Sequence, residues 1–179
     1  MKRLIVCFGV LLMLQQIDAN AAEKILKNET VIHSTVEKAW QAMATTEGVK
    51  AWMVKNADIE VKMMGKYHTN YNANLGDPGT ITNTILSYIP NRMISFKLGY
   101  PENFTVPDEN GKMITVPEVV KASTVFAVTE FEDVGNGNIR VTVTLAGFQE
   151  GREWDLTYNF FRRGNDYSLR ELKKYLEAH

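Results

Sequence analysis

Glu150–His179, EGREWDLTYNFFRRGNDYSLRELKKYLEAH, decides how the rest of the chain is read. Trp154, Tyr158, Phe161, Tyr167, Leu169, Leu172 and Leu176 recur at steps close to three or four, which places them on one face of a helix. Arg162, Arg163, Arg170, Lys173, Lys174 and Glu177 fall mostly elsewhere. A stripe this aromatic needs a cover. Nearly everything upstream reads as short strands, so the cover is a curved antiparallel sheet that grips the helix.

Working backwards, Asn138–Ala146 alternates cleanly. Ile139, Val141, Val143 and Leu145 share one face, and Arg140, Thr142 and Thr144 the other, the pattern of a sheet with one wet side. Gly135-Asn136-Gly137-Asn138 joins it as a hairpin to a strand at Ala122–Glu132. Glu130 and Arg140 are read as a cross-strand ion pair on the wet face. Tyr100–Pro117 breaks all periodicity: Pro101, Pro107, Pro117 and Asp108-Glu109-Asn110-Gly111 mark an inserted loop with a small hairpin at its tip. Arg92–Leu98 and Thr80–Ile89 are strands joined at Pro90-Asn91. Asn72–Gly79 is a loop dense in turn formers. Lys66–Tyr71 and Asp58–Lys62 pair about a turn at Met64-Gly65. Glu47–Met53 and Thr35–Ala44 are short helices, the latter carrying Val36, Ala39, Trp40 and Met43 at helical spacing, with Ser34 as N-cap and Glu37 completing a capping box. Glu23–His33 is the first strand.

The chain of 179 residues suits one domain with its own core. Its net charge of −1 argues against nucleic acid as a partner. Residues 1–21 stand apart. Lys2 and Arg3 precede an apolar run from Leu4 to Leu14, and Ala19-Asn20-Ala21 supplies small residues before Ala22. This is the pattern of a secretory signal peptide cut before Ala22, and it implies a secreted or periplasmic protein whose single domain is 22–179. The run is shorter than the roughly 20 residues that a membrane-spanning helix needs, so no integral membrane segment is expected in the mature chain. Cys7, the one cysteine, lies in that segment, so the mature chain has neither disulfides nor thiolate metal sites.

The order strand, two short helices, six to seven strands and one long helix resembles the START-like superfamily, the helix-grip or SRPBCC fold. The nearest branch is the one named for the activator of the heat-shock-protein ATPase. Val31–Trp40, Glu47–Trp52, Met64-Gly65-Lys66-Tyr67, Ile85–Phe96 and Tyr167–Leu176 carry the resemblance. Thr35 stands where the family often has proline, and Met64 replaces the first glycine of the turn. The resemblance implies an α+β fold with a hydrophobic cavity for a small apolar ligand. It carries no shared catalytic motif and transfers no catalytic residue.

Chemistry in the sequence is sparse. His33, His68 and His179 have no metal-ligand spacing, and no nucleophile motif or phosphate-binding loop is present, so no metal or cofactor is expected. What remains is an aromatic interior. Trp40, Trp52, Tyr71, Tyr88, Phe96, Phe126, Phe131, Trp154, Tyr158 and Phe161 are the candidate cavity walls. Tyr71, Tyr88, Tyr158 and Trp154 carry a polar tip that needs a partner when buried, which suits contact with a bound molecule. Asn165, four residues after Phe161, is either a polar anchor or a cap for a kink at Gly164. Asn28-Glu-Thr30 and Asn103-Phe-Thr105 fit the glycosylation sequon. The expected function is an exported binding protein with an apolar ligand between sheet and helix. The alternatives are a cavity enzyme of cyclase or hydrolase type, needing groups such as His68, Glu130 and Asp155 to converge inside, and a co-chaperone of a heat-shock ATPase.

Overall fold

A computed structural model describes residues 24–179. The expected signal segment, its cleavage site and Cys7 lie outside the described residues. Strand β1 (Lys24–His33) leads into α1 (Val36–Ala44) and α2 (Thr46–Trp52). Strands β2 (Asn56–Ile59), β3 (Lys66–Asn70), β4 (Ile81–Ile89) and β5 (Met93–Lys97) follow. The insertion contains β6 (Thr105–Pro107), β7 (Met113–Thr115) and the short α3 (Glu118–Lys121). Then come β8 (Phe126–Gly135), β9 (Asn138–Phe148) and α4 (Arg152–Ala178). Seven strands form one antiparallel sheet in the order β1-β9-β8-β5-β4-β3-β2, and β6-β7 is a separate hairpin. The fold is the α+β helix-grip arrangement read from the sequence.

Local chemistry fixes the joints. The β8–β9 hairpin turns on Asn136 and Gly137, with φ of 56° and 71°, the two positive values that a two-residue turn of the type matched to strand twist requires. At the end of β5 the chain must pass close over β4: a Cβ on Gly99 would lie 2.1 Å from the Thr82 carbonyl oxygen, so only glycine fits.

Three local expectations are corrected. The cap of α1 is Thr35, whose Oγ1 accepts from the Lys38 amide at 3.3 Å; the helix starts one residue later than a Ser34 cap would set it, and the Ser34 hydroxyl is buried without a partner among the described residues. The wet-face ion pair joins Arg140 to Glu132 at 2.6 Å, because the register sets Glu130 opposite Thr142. Helix α4 runs unbroken through Gly164, so Asn165 caps no kink.

At 27 residues α4 is about 40 Å long. It lies against β1, β9 and the inserted β6. Its burial changes along its length. Trp154, Leu156 and Thr157 are buried at one end and Leu169, Leu172 and Leu176 at the other, while Tyr158 to Phe161 and Asn165 between them are only half-buried. Beyond the second end the core is solid, with Trp40 of α1 set edge-on to Phe131 of β8 at 6.1 Å. The middle of the helix instead faces open space on the β3–β5 side.

Candidate functional site: a hollow between sheet and helix

That space is a hollow of about 610 Å³, within the usual range for small-molecule sites. Its floor is the sheet. Period-two alternation sends Tyr67 and Thr69 of β3, Ile81 and Asn83 of β4, Phe96 of β5, Ala127 and Thr129 of β8, and Val143 and Leu145 of β9 to one face. Its roof is Phe160, Phe161, Gly164, Asn165 and Ser168 of α4. The insertion closes one side with Tyr100, Pro101 and Phe104. Tyr71 and Tyr167, 46% and 57% exposed, stand at the mouth.

Aromatic rings dominate the lining. Phe104 packs edge-on to Phe160 at 5.4 Å and against Tyr100 and Phe161 at 5.1 and 6.1 Å; Tyr67 meets Phe96 at 4.6 Å. Among the described residues no Asp, Glu, His, Lys or Arg lines the hollow. Three of its polar side chains are engaged with the protein itself. The Tyr67 hydroxyl donates to the Met43 carbonyl at 2.9 Å, the Gly99 amide donates to Asn83 Oδ1 at 2.9 Å, and Asn165 Nδ2 donates to Asn28 Oδ1 at 3.2 Å. The Tyr100 hydroxyl is buried with no partner among the described residues. Burial raises the Tyr67 phenol, pushes Tyr100 up to about 12, and raises Tyr71, so all three are neutral donors near neutral pH.

Of the ten residues expected to form the cavity together with Asn165, the structure brings Tyr71, Phe96, Phe161 and Asn165 to it. The others lie elsewhere. Trp40 is core, packed on Phe131. Trp52 ties the two short helices together, its indole donating to the Ala42 carbonyl at 3.0 Å. Trp154 is buried at the first turn of α4, short of the hollow. Tyr158 turns toward β1, its hydroxyl donating to the Ile25 carbonyl at 3.4 Å and its ring under the Lys24 ammonium. Phe126 is exposed because Ala127 and Thr129 set the inward parity of β8. Tyr88 is exposed beyond the irregularity between Ile85 and Ser87. Tyr167 leaves the buried helix face, because the true stripe steps from Phe161 through Asn165 and Ser168 to Leu169. The wall residues that sequence reasoning misses are Tyr67, Tyr100, Phe104 and Phe160. The alternation Tyr67, Thr69, Tyr71 is signal enough for the first; nothing in the aperiodic insertion marks the second and third.

The two sequons part here. Asn28 is 7% exposed, and its amide donates to Asp166 Oδ1 at 2.6 Å and the Arg162 carbonyl at 3.2 Å, leaving no room for a glycan. Asn103 is exposed at the rim. Among the described residues no group of three or more His, Cys, Asp and Glu is placed to hold a metal ion, and no helix is long and apolar enough to cross a membrane.

A curved antiparallel sheet holding one long helix over a lined hollow defines a helix-grip protein of the START-like kind. Residues 33–177 match the family described as activator of Hsp90 ATPase homolog 1-like protein, and the chain belongs to that family. Solved structures with the same fold include the Aha1 dimer from Colwellia psychrerythraea, at 18% identity and a TM-score of 0.64 over 86% of this chain and 96% of that one. A Mesorhizobium loti protein is similar at 15% identity and a TM-score of 0.62, over 87% and 98% of the two chains. An HSP90 activator from Plasmodium falciparum is similar at 11% identity and a TM-score of 0.56, over 86% and 94%. No curated protein matches in sequence.

Proposed function

We propose that this is an exported binding protein that holds a small apolar molecule between sheet and helix. The observation that carries the reading is the 610 Å³ hollow, lined by aromatic rings and, among the described residues, free of charged side chains. Filling such a space removes apolar surface from water, at about 25 cal/mol per Å². Catalysis there is not favoured: His68, Glu130 and Asp155 all lie outside the lining, so no acid–base pair converges on a bound molecule. Export rests on the Lys2-Arg3, Leu4–Leu14 and Ala19-Asn20-Ala21 pattern.

Native mass spectrometry of protein purified from its own host tests the binding. The expected spectrum carries an extra small mass that is lost on denaturation. Absence of any such mass, together with failure to take up the neutral dye Nile red, overturns the reading. Amino-terminal sequencing tests export: a chain beginning at Ala22 outside the cytoplasm is expected, and a cytosolic chain beginning at Met1 refutes it.

Family membership favours one second reading, a co-chaperone. It requires an accessible heat-shock ATPase, which a cytosolic chain would meet and an exported chain would not. Stimulation of a purified Hsp90 ATPase by the domain would support it, and no change in turnover at saturating protein would remove it.

A further inference from the structure

We infer that the mouth of the hollow docks on an anionic phospholipid bilayer, with Tyr71, Leu75 and Tyr167 entering the interface and Arg163 and Arg170 meeting the headgroups. This deepens the ligand-binding reading above and rests on it, naming the surface from which the apolar molecule is taken.

The apolar part of that surface is ordered in advance. Loop 72–79 leaves β3 at Tyr71 and returns at Gly79, and both residues line the hollow. The buried Asn70 side chain fixes the loop from below. Its Nδ2 donates to the Asn74 carbonyl and to Thr80 Oγ1, each at 3.2 Å, and its Oδ1 accepts from the Asn72 and Ala73 amides at 3.2 and 2.9 Å. Asp77 Oδ2 accepts from the Asn74 amide at 2.9 Å, and Thr80 Oγ1 from the Gly76 amide at 3.1 Å. Leu75, in the middle of this wired loop, is 37% exposed. An apolar side chain held out on an ordered scaffold loses little freedom on docking. Tyr71 and Tyr167 complete the patch. An exposed tyrosine joins an apolar ring to a polar tip, the combination that suits a membrane–water boundary.

The charge lies on the helix side of the mouth. Arg163, Tyr167, Arg170 and Lys174 are spaced four, three and four apart, so they form one stripe of α4, beside Gly164 and Ser168 of the roof. The Arg170 guanidinium is 6.0 Å from the centre of the Tyr167 ring. Among the described residues neither Arg163 nor Arg170 is in an ion pair, whereas Lys174 is balanced by Glu171 at 2.6 Å. Of the acids beside the mouth, Asp77 is spent on the Asn74 amide, and Glu102 stands across from the helix on the insertion. A chain with a net charge of −1 has no general pull toward an anionic surface, so the attraction is confined to this stripe and fixes which side docks. A molecule suited to an uncharged aromatic hollow is scarce in water and abundant in a bilayer. A mouth pressed to the bilayer lets it pass without crossing water.

Co-sedimentation with vesicles tests the docking, using phosphatidylcholine alone and equal parts phosphatidylcholine and phosphatidylglycerol. The chain is expected to bind the mixed vesicles at low salt and to bind them more weakly at high salt. Arg163→Gln combined with Arg170→Gln should weaken that binding about thirtyfold, through two lost headgroup contacts. Leu75→Ser should weaken it about fivefold. Arg92→Gln combined with Lys97→Gln makes the same charge change at two cations that flank β5 and do not line the hollow, and should bind as the parent does. All these variants should take up Nile red in vesicle-free solution like the parent, which shows that they fold with the hollow intact. A parent that ignores the mixed vesicles, arginine variants that bind them undiminished, or an equal loss in the β5 variants each overturn the docking while leaving a binding cavity in place. Self-association of the parent that Leu75→Ser abolishes would give this face to a second copy of the chain and overturn it too. A parent that takes up no Nile red removes the cavity reading, and the docking with it.

Discussion

Phe104→Ala is the sharpest test of whether the insertion is part of the hollow's wall or a surface ornament. Phe104 is 7% exposed and touches three other rings, on α4 and at the start of the insertion. Truncating a buried phenylalanine costs about 3–5 kcal/mol where a new cavity is left. Here one side of the ring already borders open space, so fewer contacts are lost, and the lower end, about 3 kcal/mol, is expected. For a chain of this size that is a fall in Tm of roughly 6–12 °C, read by circular dichroism. Nile red should bind far more weakly, since the hollow then opens to solvent beside Tyr100. Leu172→Ala is the control. Leu172 is 1% exposed and lies on α4 beyond the hollow, so it should lose about 3 kcal/mol yet keep the dye. A Phe104→Ala protein that melts with the parent, or a Leu172→Ala protein that loses the dye equally while still folded, would refute the assignment of the insertion to the wall.

Gly164 sits in mid-helix, and a Cβ added there would meet nothing within 4 Å, so Gly164→Ala should raise stability by about 0.5–1 kcal/mol in urea unfolding, while Gly164→Trp should fill the hollow and exclude Nile red. Asn28→Ala removes hydrogen bonds to Asp166 and Arg162 and strands the Asn165 amide, and should cost about 2 kcal/mol in the same assay. The tip of the insertion is held to α4 by a two-pronged pair, Arg152 Nε to Glu109 Oε1 at 2.9 Å and Nη2 to Oε2 at 2.7 Å. The hydrogen bond from Arg152 holds the Glu109 carboxyl below its ordinary 4.5, so this contact is complete above that pH and is lost as pH falls through the lowered value. Amide exchange at 105–115 should therefore quicken in acid relative to the β8–β9 hairpin, and in Glu109→Gln much of that difference should vanish.

How much is legible in the sequence is clearest on β9 and α4. Alternation at Ile139, Val141, Val143 and Leu145 is a local property of a strand with one wet face, and the sequence carries it intact. The same is true of Leu169, Leu172 and Leu176 on the helix. Burial by parity is just as local, yet a shift of a single residue reverses it. Phe126 reads as a cavity wall because it is aromatic, but Ala127 and Thr129 set the inward side. Arg140 meets Glu132 rather than Glu130 because the two-residue turn at Asn136-Gly137 fixes the register. Tyr71, Phe96 and Phe161 reach the hollow while Trp40 and Trp154 do not. Large aromatics fill solid core and open cavity alike, and composition cannot separate the two.

Sequence alone determined the kinds of element, their order and the apolar faces, because these follow from periods of two and of 3.6 along one chain. Tertiary structure alone decided where the packing stops. Helix α4 presses on β1 and β9 and stands off from β3 to β5, and that gap depends on sheet curvature summed over seven strands. Tyr100 and Phe104 reach it from an aperiodic segment, so their place beside Phe161 is a matter of three-dimensional distance, which no spacing along the chain records.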